Sequence, residues 1–587
     1  MNTTDYQNWL QKAEDLFTQG YIQEAWNEFK ALNENYPNNP EVLNNLGVIS
    51  FYSQDLDQAK EYLTQAVQID PDFQEAHDNL RAVHESQQHS QLSSDSNLEK
   101  DTNEQTSSPS GQAHLPNYYK ITTIDQIQVC TPKTIDYMTP YVLLEQEQWF
   151  EPEIYFQKTF LDSGMKCLDI GACFGVYALP MARAVGSTGE VFAFEPNSLP
   201  REHLQASAKE NGLDNLHILP QALSSQSGQA KLTSPYTPEL ANLSDQDHTE
   251  QGQDIEVTTL DAWWQEAGRP KIDFVKLDAN GHEARIIQGA QDIFTKLSPV
   301  VLFSVKQGEQ FNQEAVQKLS SLGFEFYQYL PGPGILARFD DNAQPEPYLL
   351  NLVAVKPDTA AKLQEQGLIA PEELEVPEPE LGSWEQYLSS QPWTADQLST
   401  WRQKALEQEN QDYLRALDFL CAAQDSQASP SSRLGQTQWA AQNLMQIYNQ
   451  SQTSGPIALS LSRALNELGM REQAVQVLGQ LLQEIQSGRD IDFTLPFLPP
   501  LARFDQVPIQ ESAQKWIMAR IMESLIFLRS YSGYFSAYQD TYLLQTLRNN
   551  TEHHLESERR LALINLRLGK NIHISPHNRL LTDEHLN

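Results

Sequence analysis

Positive charge is scarce in this sequence: 40 Lys and Arg stand against 78 Asp and Glu in 587 residues, a net charge of −38. Nucleic-acid binding relies on clustered Lys and Arg to neutralise phosphates, and docking on anionic lipid needs the same sign, so the balance argues against both. Cysteine is scarce too. Cys130, Cys167, Cys173 and Cys421 have no C-x-x-C spacing, so neither a zinc site nor a disulfide framework is expected. No apolar run approaches the roughly 18 residues of a membrane span. The opening segment, MNTTDYQNWLQKAED, lacks the basic region and apolar run of a secretory signal. These absences lead to the expectation of an acidic, cytoplasmic protein without a metal. With 40% hydrophobic and 9% aromatic residues the chain can fold, and its length exceeds one core.

The first block repeats with a period of 34: Trp9 aligns with Leu43, Ala13 with Gly47, Ala25 with Ala59, Phe29 with Leu63, and Pro37 with Pro71. Each unit reads as two amphipathic helices. Small residues at the repeated positions let paired helices approach, and the prolines cannot continue a helix. The pattern resembles the tetratricopeptide repeat, over residues 1–87 with a closing helix from about residue 71. Residues 88–114 are polar and almost free of large apolar side chains, as in a disordered linker.

From residue 115 to 357, short β-type runs alternate with helical patterns: KCLDIG, EVFAFEP, NLHILPQAL, IDFVKLD, PVVLFSV, FEFYQYL and LLNLVAV. This predicts a Rossmann-like α/β domain, seven-stranded and mostly parallel. The last two runs are separated by a loop containing PGPG and no helix, which predicts antiparallel pairing at the sheet's end. An acidic, proline-punctuated linker is expected over 358–386, then a helical domain over 387–587. Within it, ALSLSRALNELGMREQAVQVLGQLLQEI again resembles a tetratricopeptide unit.

The chemistry concentrates in LDIGACFGVYAL. A strand ending in Asp169 is followed by Gly171, Gly175 and a helical run, giving D-x-G-x-x-x-G. A dinucleotide fingerprint carries a further glycine that serves the pyrophosphate; here that position is Cys173. Glu195 ends the next strand, where an acid can bind two ribose hydroxyls. Together these predict an adenosine-like ligand without pyrophosphate, with S-adenosylmethionine as the candidate.

Four stretches carry a wider resemblance: CLDIGACFGVYALPMARAVGSTGEVFAFEPN, NLHILPQALSSQSGQAKL, TTLDAWW and IDFVKLDANGHEARIIQGAQDIF. In this order they resemble the FkbM family of S-adenosylmethionine-dependent methyltransferases. The resemblance implies O-methylation of a hydroxyl on a sugar or polyketide-type molecule. It implies Asp169 and Gly171 at the methionine end of S-adenosyl-L-methionine, Glu195 on the ribose, and Asn197, Ala222 and Leu223 flanking adenine. Cys173 and Gly175 belong to the same loop. Asp278 is implied to face the transferred methyl and the substrate.

Methyl transfer to a hydroxyl benefits from a base, for which Asp278 is the first candidate and His282 the second. Asp278 could instead cap the following helix, His282 could lie on the surface, and Glu283 could merely suit a helix start. Asp261 reads as a helix N-cap, Trp263 and Trp264 as packing, and Tyr327, Tyr329 and PGPG as a place for a lid. Two positions depart from the family pattern: Cys173 stands where asparagine is usual, and Asn280 where glutamate is usual. The first expectation is therefore a glycan O-methyltransferase with repeats that dock protein partners. The second is a methyltransferase-like scaffold that has lost catalysis. A nicotinamide oxidoreductase is disfavoured by the missing glycine.

Overall fold

The repeated small residues lie where paired helices meet. In the computed structural model, helices α1 (Ile22–Asn35), α2 (Pro40–Tyr52) and α3 (Leu56–Ile69) pack in succession. Ala13, Ala25 and Ala59 are buried, and a Cβ on Gly47 would meet Leu63 Cγ at 2.5 Å. The structure describes residues 6, 9–10, 12–13, 22–37, 39–52, 56–70, 73, 76–77, 79–80, 83 and 118–568, 570, 575 and 578, except 234–238, 240–241, 245–251, 308–309, 341–344, 451–453 and 537–539. The predicted linker 88–114 and Pro71 lie outside the described residues. The chain divides into two units, Met1–His114 and Leu115–Asn587, so the second takes in both the α/β region and the helices after it.

The second unit opens with an antiparallel hairpin, β1 (Tyr118–Thr122) and β2 (Gln128–Pro132), followed by α4 (Met138–Gln146) and α5 (Glu153–Phe160). Then β3 (Lys166–Ile170), α6 (Ala178–Val185), β4 (Glu190–Phe194), α7 (Ser198–Asn211) and β5 (Leu216–Leu219) alternate. A separate four-stranded sheet holds β6 (Ala222–Leu223), β7 (Gly228–Thr233), β8 (Asn242–Ser244) and β9 (Gln253–Thr258). The chain continues through α8 (Leu260–Glu266), β10 (Phe274–Leu277), α9 (Glu283–Gln288), α10 (Gln291–Lys296) and β11 (Val300–Ser304). After a short pair, β12 (Lys306–Gln307) and β13 (Gln310–Phe311), come α11 (Gln313–Ser321), β14 (Glu325–Leu330), β15 (Ile335–Arg338) and β16 (Asn351–Val355).

The main sheet has eight strands in the order β15-β14-β16-β11-β10-β3-β4-β5, and corrects the seven-stranded, mostly parallel expectation. The strands β11, β10, β3, β4 and β5 are parallel; β16, β14 and β15 are antiparallel. The predicted antiparallel pairing of FEFYQYL with LLNLVAV is present as β14 with β16. The PGPG segment is a tight turn, with Gly334 at φ +73, that returns the chain as the edge strand β15. That strand is only four residues long and carries one charged residue, too short a run to read as a strand beforehand.

Alternation along the central strands builds two cores. Phe274 joins the cluster beneath α6, whereas Val275 and Leu277 join Ile286 of α9 and Phe294 of α10 on the other face. Trp264 is buried, and Trp263 packs against Phe192 and Phe194, so both tryptophans are packing residues. Asp261 does not cap its own helix. Thr259 does, while Asp261 accepts the N–H groups of Asp292 and Ile293 at the start of α10.

After β16 come α12 (Pro357–Glu365), α13 (Ser383–Ser389), α14 (Leu398–Lys404), α15 (Gln411–Ala422), α16 (Pro430–Gln450), α17 (Gly455–Glu467) and α18 (Arg471–Gln486). They are followed by α19 (Ala513–Arg529), α20 (Gly533–Ser536), α21 (Thr541–Arg548) and α22 (Leu555–Arg567). α17 and α18 pair across Gly469, at φ +74. The α22 residues Ala562 and Leu563 share one apolar cluster with Tyr141 and Leu144 of α4. Beside them the fully buried Glu145 and Arg560 form an ion pair at 2.9 Å. Among the described residues no helix is long and apolar enough to cross a membrane.

Candidate functional site

In an open α/β sheet, the loops at the carboxyl ends of the strands diverge where strand order reverses, leaving a crevice. Here that place is between β3 and β10, and a cavity of about 200 Å³ lies there. The loop after β3 is closed by two N–H groups, of Gly171 and Ala172, donating to Phe194 O at 3.0 and 3.1 Å. It needs left-handed backbone at Gly171 (φ +84), Cys173 (φ +47) and Gly175 (φ +86). A Cβ on Gly171 would lie 1.9 Å from Asp278 O, so this glycine lets the loops after β3 and β10 meet.

Nine residues singled out from the sequence line this cavity: Asp169, Gly171, Cys173, Glu195, Ala222, Leu223, Asp278, Asn280 and His282. Gly175 and Asn197 are not in its lining. Gly175 sits against α7, where a Cβ would come 2.3 Å from Leu204 Cδ1. Asn197 caps α7 through its side chain, and its N–H donates to Glu195 Oε1 at 2.8 Å.

The other Glu195 oxygen, Oε2, accepts the Cys173 N–H at 2.8 Å. The strand-end acid is thus clamped by backbone on both oxygens, while burial pushes its carboxyl up to about 7. Asp169 is likewise pushed up to about 7 by burial, with the Lys276 charge opposing and those of Asp278 and Glu195 adding. Its buried Oδ2 has no hydrogen-bond partner among the described residues. Burial also raises the Cys173 thiol well above its ordinary range, with the Glu239 and Glu195 carboxylates adding, which disfavours a thiolate nucleophile.

Asp278 does not cap α9. Its Oδ2 accepts a hydrogen bond from the buried Lys276 Nζ at 3.0 Å. Lys276 also donates to Asn351 Oδ1 at 3.0 Å, lies 3.9 Å from Glu151 Oε2, and sits over the Tyr177 ring at 4.8 Å. These carboxylates keep the ammonium protonated and raise its pKa despite burial. His282 is half-buried, and its Nε2 is 2.9 Å from Ser224 Oγ. Glu283 is fully buried and does more than suit a helix start: it accepts the N–H groups of Ala279 and Gly281 and the Asn312 amide. Burial and the Asp278 charge raise it to about 6. Asn280 adopts φ +50, which asparagine tolerates better than glutamate does, and its Nδ2 donates to Glu239 O at 2.9 Å.

Sequence reading missed Lys276, Glu151 and Glu239. A signal for Lys276 existed: a lone cation inside an apolar strand, two residues before Asp278 and so on the same face. Glu151 lies in WFEPEIYF, an acid among aromatics. Its Oε2 accepts from Tyr177 Oη at 2.6 Å and from Asn351 Nδ2 at 2.9 Å. Glu239 gave no signal; its Oε1 accepts the Thr139 N–H at 3.0 Å at the start of α4. Among the described residues no cluster of three or more His, Cys, Asp or Glu is arranged to hold a metal ion.

A glycine loop meets an acidic cavity at the switch point of a mixed sheet, the place where open α/β folds hold their ligands. More particularly, residues 169–326 match the family model of the methyltransferase FkbM domain, and residues 40–73 that of the tetratricopeptide repeat. The chain carries a methyltransferase domain of the FkbM family together with a tetratricopeptide repeat.

Among solved structures, it is similar to an S-adenosylmethionine-dependent O-methyltransferase from Thermotoga maritima (18% identity, 35% of this chain and 64% of that one, TM-score 0.21). It is also similar to the methyltransferase FkbM from Methylobacillus flagellatus (15% identity, 35% and 50%, TM-score 0.24). A third is a precorrin-6y C5,15-methyltransferase from Geobacter metallireducens (14% identity, 40% and 100%, TM-score 0.23). The chain spans less than two thirds of the first two. No curated protein matches it.

Proposed function

We propose that this chain is an S-adenosylmethionine-dependent methyltransferase acting on a hydroxyl of a sugar or glycan. In this reading residues 115–357 are the catalytic domain, 387–587 a helical domain, and the N-terminal repeats dock protein partners in the cytoplasm. The observation that carries the cofactor assignment is the charge of the cavity. Among the described residues, Glu151, Asp169, Glu195, Glu239 and Asp278 line it, against Lys276 alone among Lys and Arg. A pyrophosphate would meet repulsion there, whereas a ligand bearing a sulfonium and an ammonium matches it. The unpartnered Asp169 Oδ2 and the closely packed Gly171 fit the methionine end, Glu195 the ribose, and Ala222 and Leu223 the adenine.

S-adenosylmethionine, when bound, supplies a methyl group already activated on a positively charged sulfur. The chain's own work is then alignment and exclusion of water, which can lower a barrier by about 7–11 kcal/mol. Asp278, fixed at Oδ2 by Lys276, takes the acceptor's hydroxyl proton at Oδ1. His282, tied to Ser224, is the second candidate for that proton. Trp149, Phe150 and Tyr177 line the cavity with apolar surface and keep water from the reacting atoms.

The test uses the full chain with isotope-labelled S-adenosylmethionine and a panel of neutral glycans. The expected result is a mass gain of about one methylene on at least one glycan, lost in Asp278→Asn while cofactor binding persists. Cofactor binding without transfer to any acceptor would favour the scaffold reading. Absence of cofactor binding would remove the enzyme reading.

A further inference from the structure

A second cavity, of about 340 Å³, lies between the α/β region and the helices that follow it. Trp149, Phe150 and Glu151 line both cavities, so the two adjoin there. We infer that this second cavity receives the methyl acceptor, a neutral, ring-bearing, polyhydroxylated molecule, so that the C-terminal helices form half of the active site. The inference rests on the first cavity being the methyl-donor site.

The shared residues are held from both sides. Lys276 hydrogen-bonds Asp278 in the first cavity and lies 3.9 Å from Glu151, which borders both. Phe150 packs against Tyr531 (centroids 5.1 Å apart) and Phe535 (5.6 Å), so helical-block residues set its position. The sequence reading placed a lid near Tyr329 and PGPG. Tyr329 and Pro331 line this second cavity, and Tyr329 is buried.

The lining selects the chemistry. Tyr155, Tyr348, Phe527 and Tyr531 bring rings to the lining, and the faces that Arg471 and Arg503 leave uncovered can meet the apolar face of a sugar ring. Gln148, Gln328 and Asn466 add side-chain amides, which both donate and accept, as hydroxyl groups require. The two arginines are already engaged. Arg471 donates to the carbonyls of Phe527 and Leu528 and lies over the rings of both Tyr348 and Tyr531. Arg503 pairs with Glu556. With Glu151, Glu153, Glu346 and Glu556 set against these two arginines, the described lining carries no excess of positive charge to draw a phosphate or carboxylate. The volume is within the range of small-molecule sites, about 300–1,000 Å³.

The test compares the full-length chain with two variants that fill the helical side, Ala502→Trp at the exposed rim and Asn466→Trp on α17. Each is measured for S-adenosylhomocysteine affinity by calorimetry, and for binding to an array of neutral oligosaccharides with that ligand present. The expected result is wild-type S-adenosylhomocysteine affinity in both variants, with glycan affinity reduced at least tenfold. Retention of full glycan affinity by the variants overturns the inference, and so does a wild-type chain that binds S-adenosylhomocysteine but no glycan. Failure of the wild type to bind S-adenosylhomocysteine, with glycan binding still lost in the filled variants, overturns the donor-site reading alone and leaves the second cavity as the glycan site.

Discussion

Asp169 and Glu195 are pushed up to about 7 by burial, against an unfolded value near 4. Both therefore hold protons in the folded, ligand-free chain that the unfolded chain has released. Stability falls as pH rises from about 4.5 to 7, and levels off above. A cationic ligand favours the ionised carboxylates, so its affinity runs the other way. S-adenosylmethionine is expected to bind at least tenfold more weakly at pH 5.5 than at pH 8, measured by calorimetry at constant ionic strength; a flat profile would remove these carboxylates from its site. Glu195 also accepts one N–H on each oxygen. In Glu195→Gln one of those N–H groups faces an amide NH₂, a loss of about 1.5–3 kcal/mol. At least a tenfold weaker Kd is expected, with normal circular dichroism; unchanged affinity would show that the acid does not hold the ribose.

At the scale of elements, the glycine turn after β3 is a fit between two loops. Gly171→Ala brings a Cβ to within 1.9 Å of Asp278 O at φ +84. A loss of at least about 1–3 kcal/mol in urea unfolding is expected, together with loss of cofactor affinity. This loop and the main parallel strands were legible because a buried strand, a tight turn and a helix each leave a local signature. The small sheet and β15 were not. β6 and β8 span two and three residues, and such short runs carry no period. The exchange at Asn280 looked like drift in the sequence alone. Its left-handed backbone and its bond to Glu239 O give it a local reason.

At the scale of the molecule, a buried ion pair fastens α22 to the α/β region. Glu145 accepts from Arg560 and from the Gly533 N–H, and its backbone carbonyl accepts from Arg559, all without solvent. Arg560→Ala strands that carboxylate, and a loss of about 3–5 kcal/mol is expected in equilibrium unfolding. The same α4 helix carries Met138 and Thr139 in the lining of the first cavity, so the variant is also expected to weaken cofactor binding. A stability change below about 1 kcal/mol would mean that this pair is not what joins the helices to the α/β region.

The sequence by itself determined the helical repeats, the α/β region, the glycine loop, and the acids at the ends of β3, β4 and β10. Each is written in a local period, or in spacings of a few residues along one strand and its turn. Only the tertiary structure decided that Lys276 meets Glu151, that Glu239 comes to the same cavity, and that C-terminal helices line a second one. Those meetings join residues far apart in the chain: Glu145 with Arg560, Lys276 with Glu151, Phe150 with Tyr531. Their contact follows from how sheet and helices pack, and packing depends on the shape of the whole folded unit, which no single stretch of sequence records.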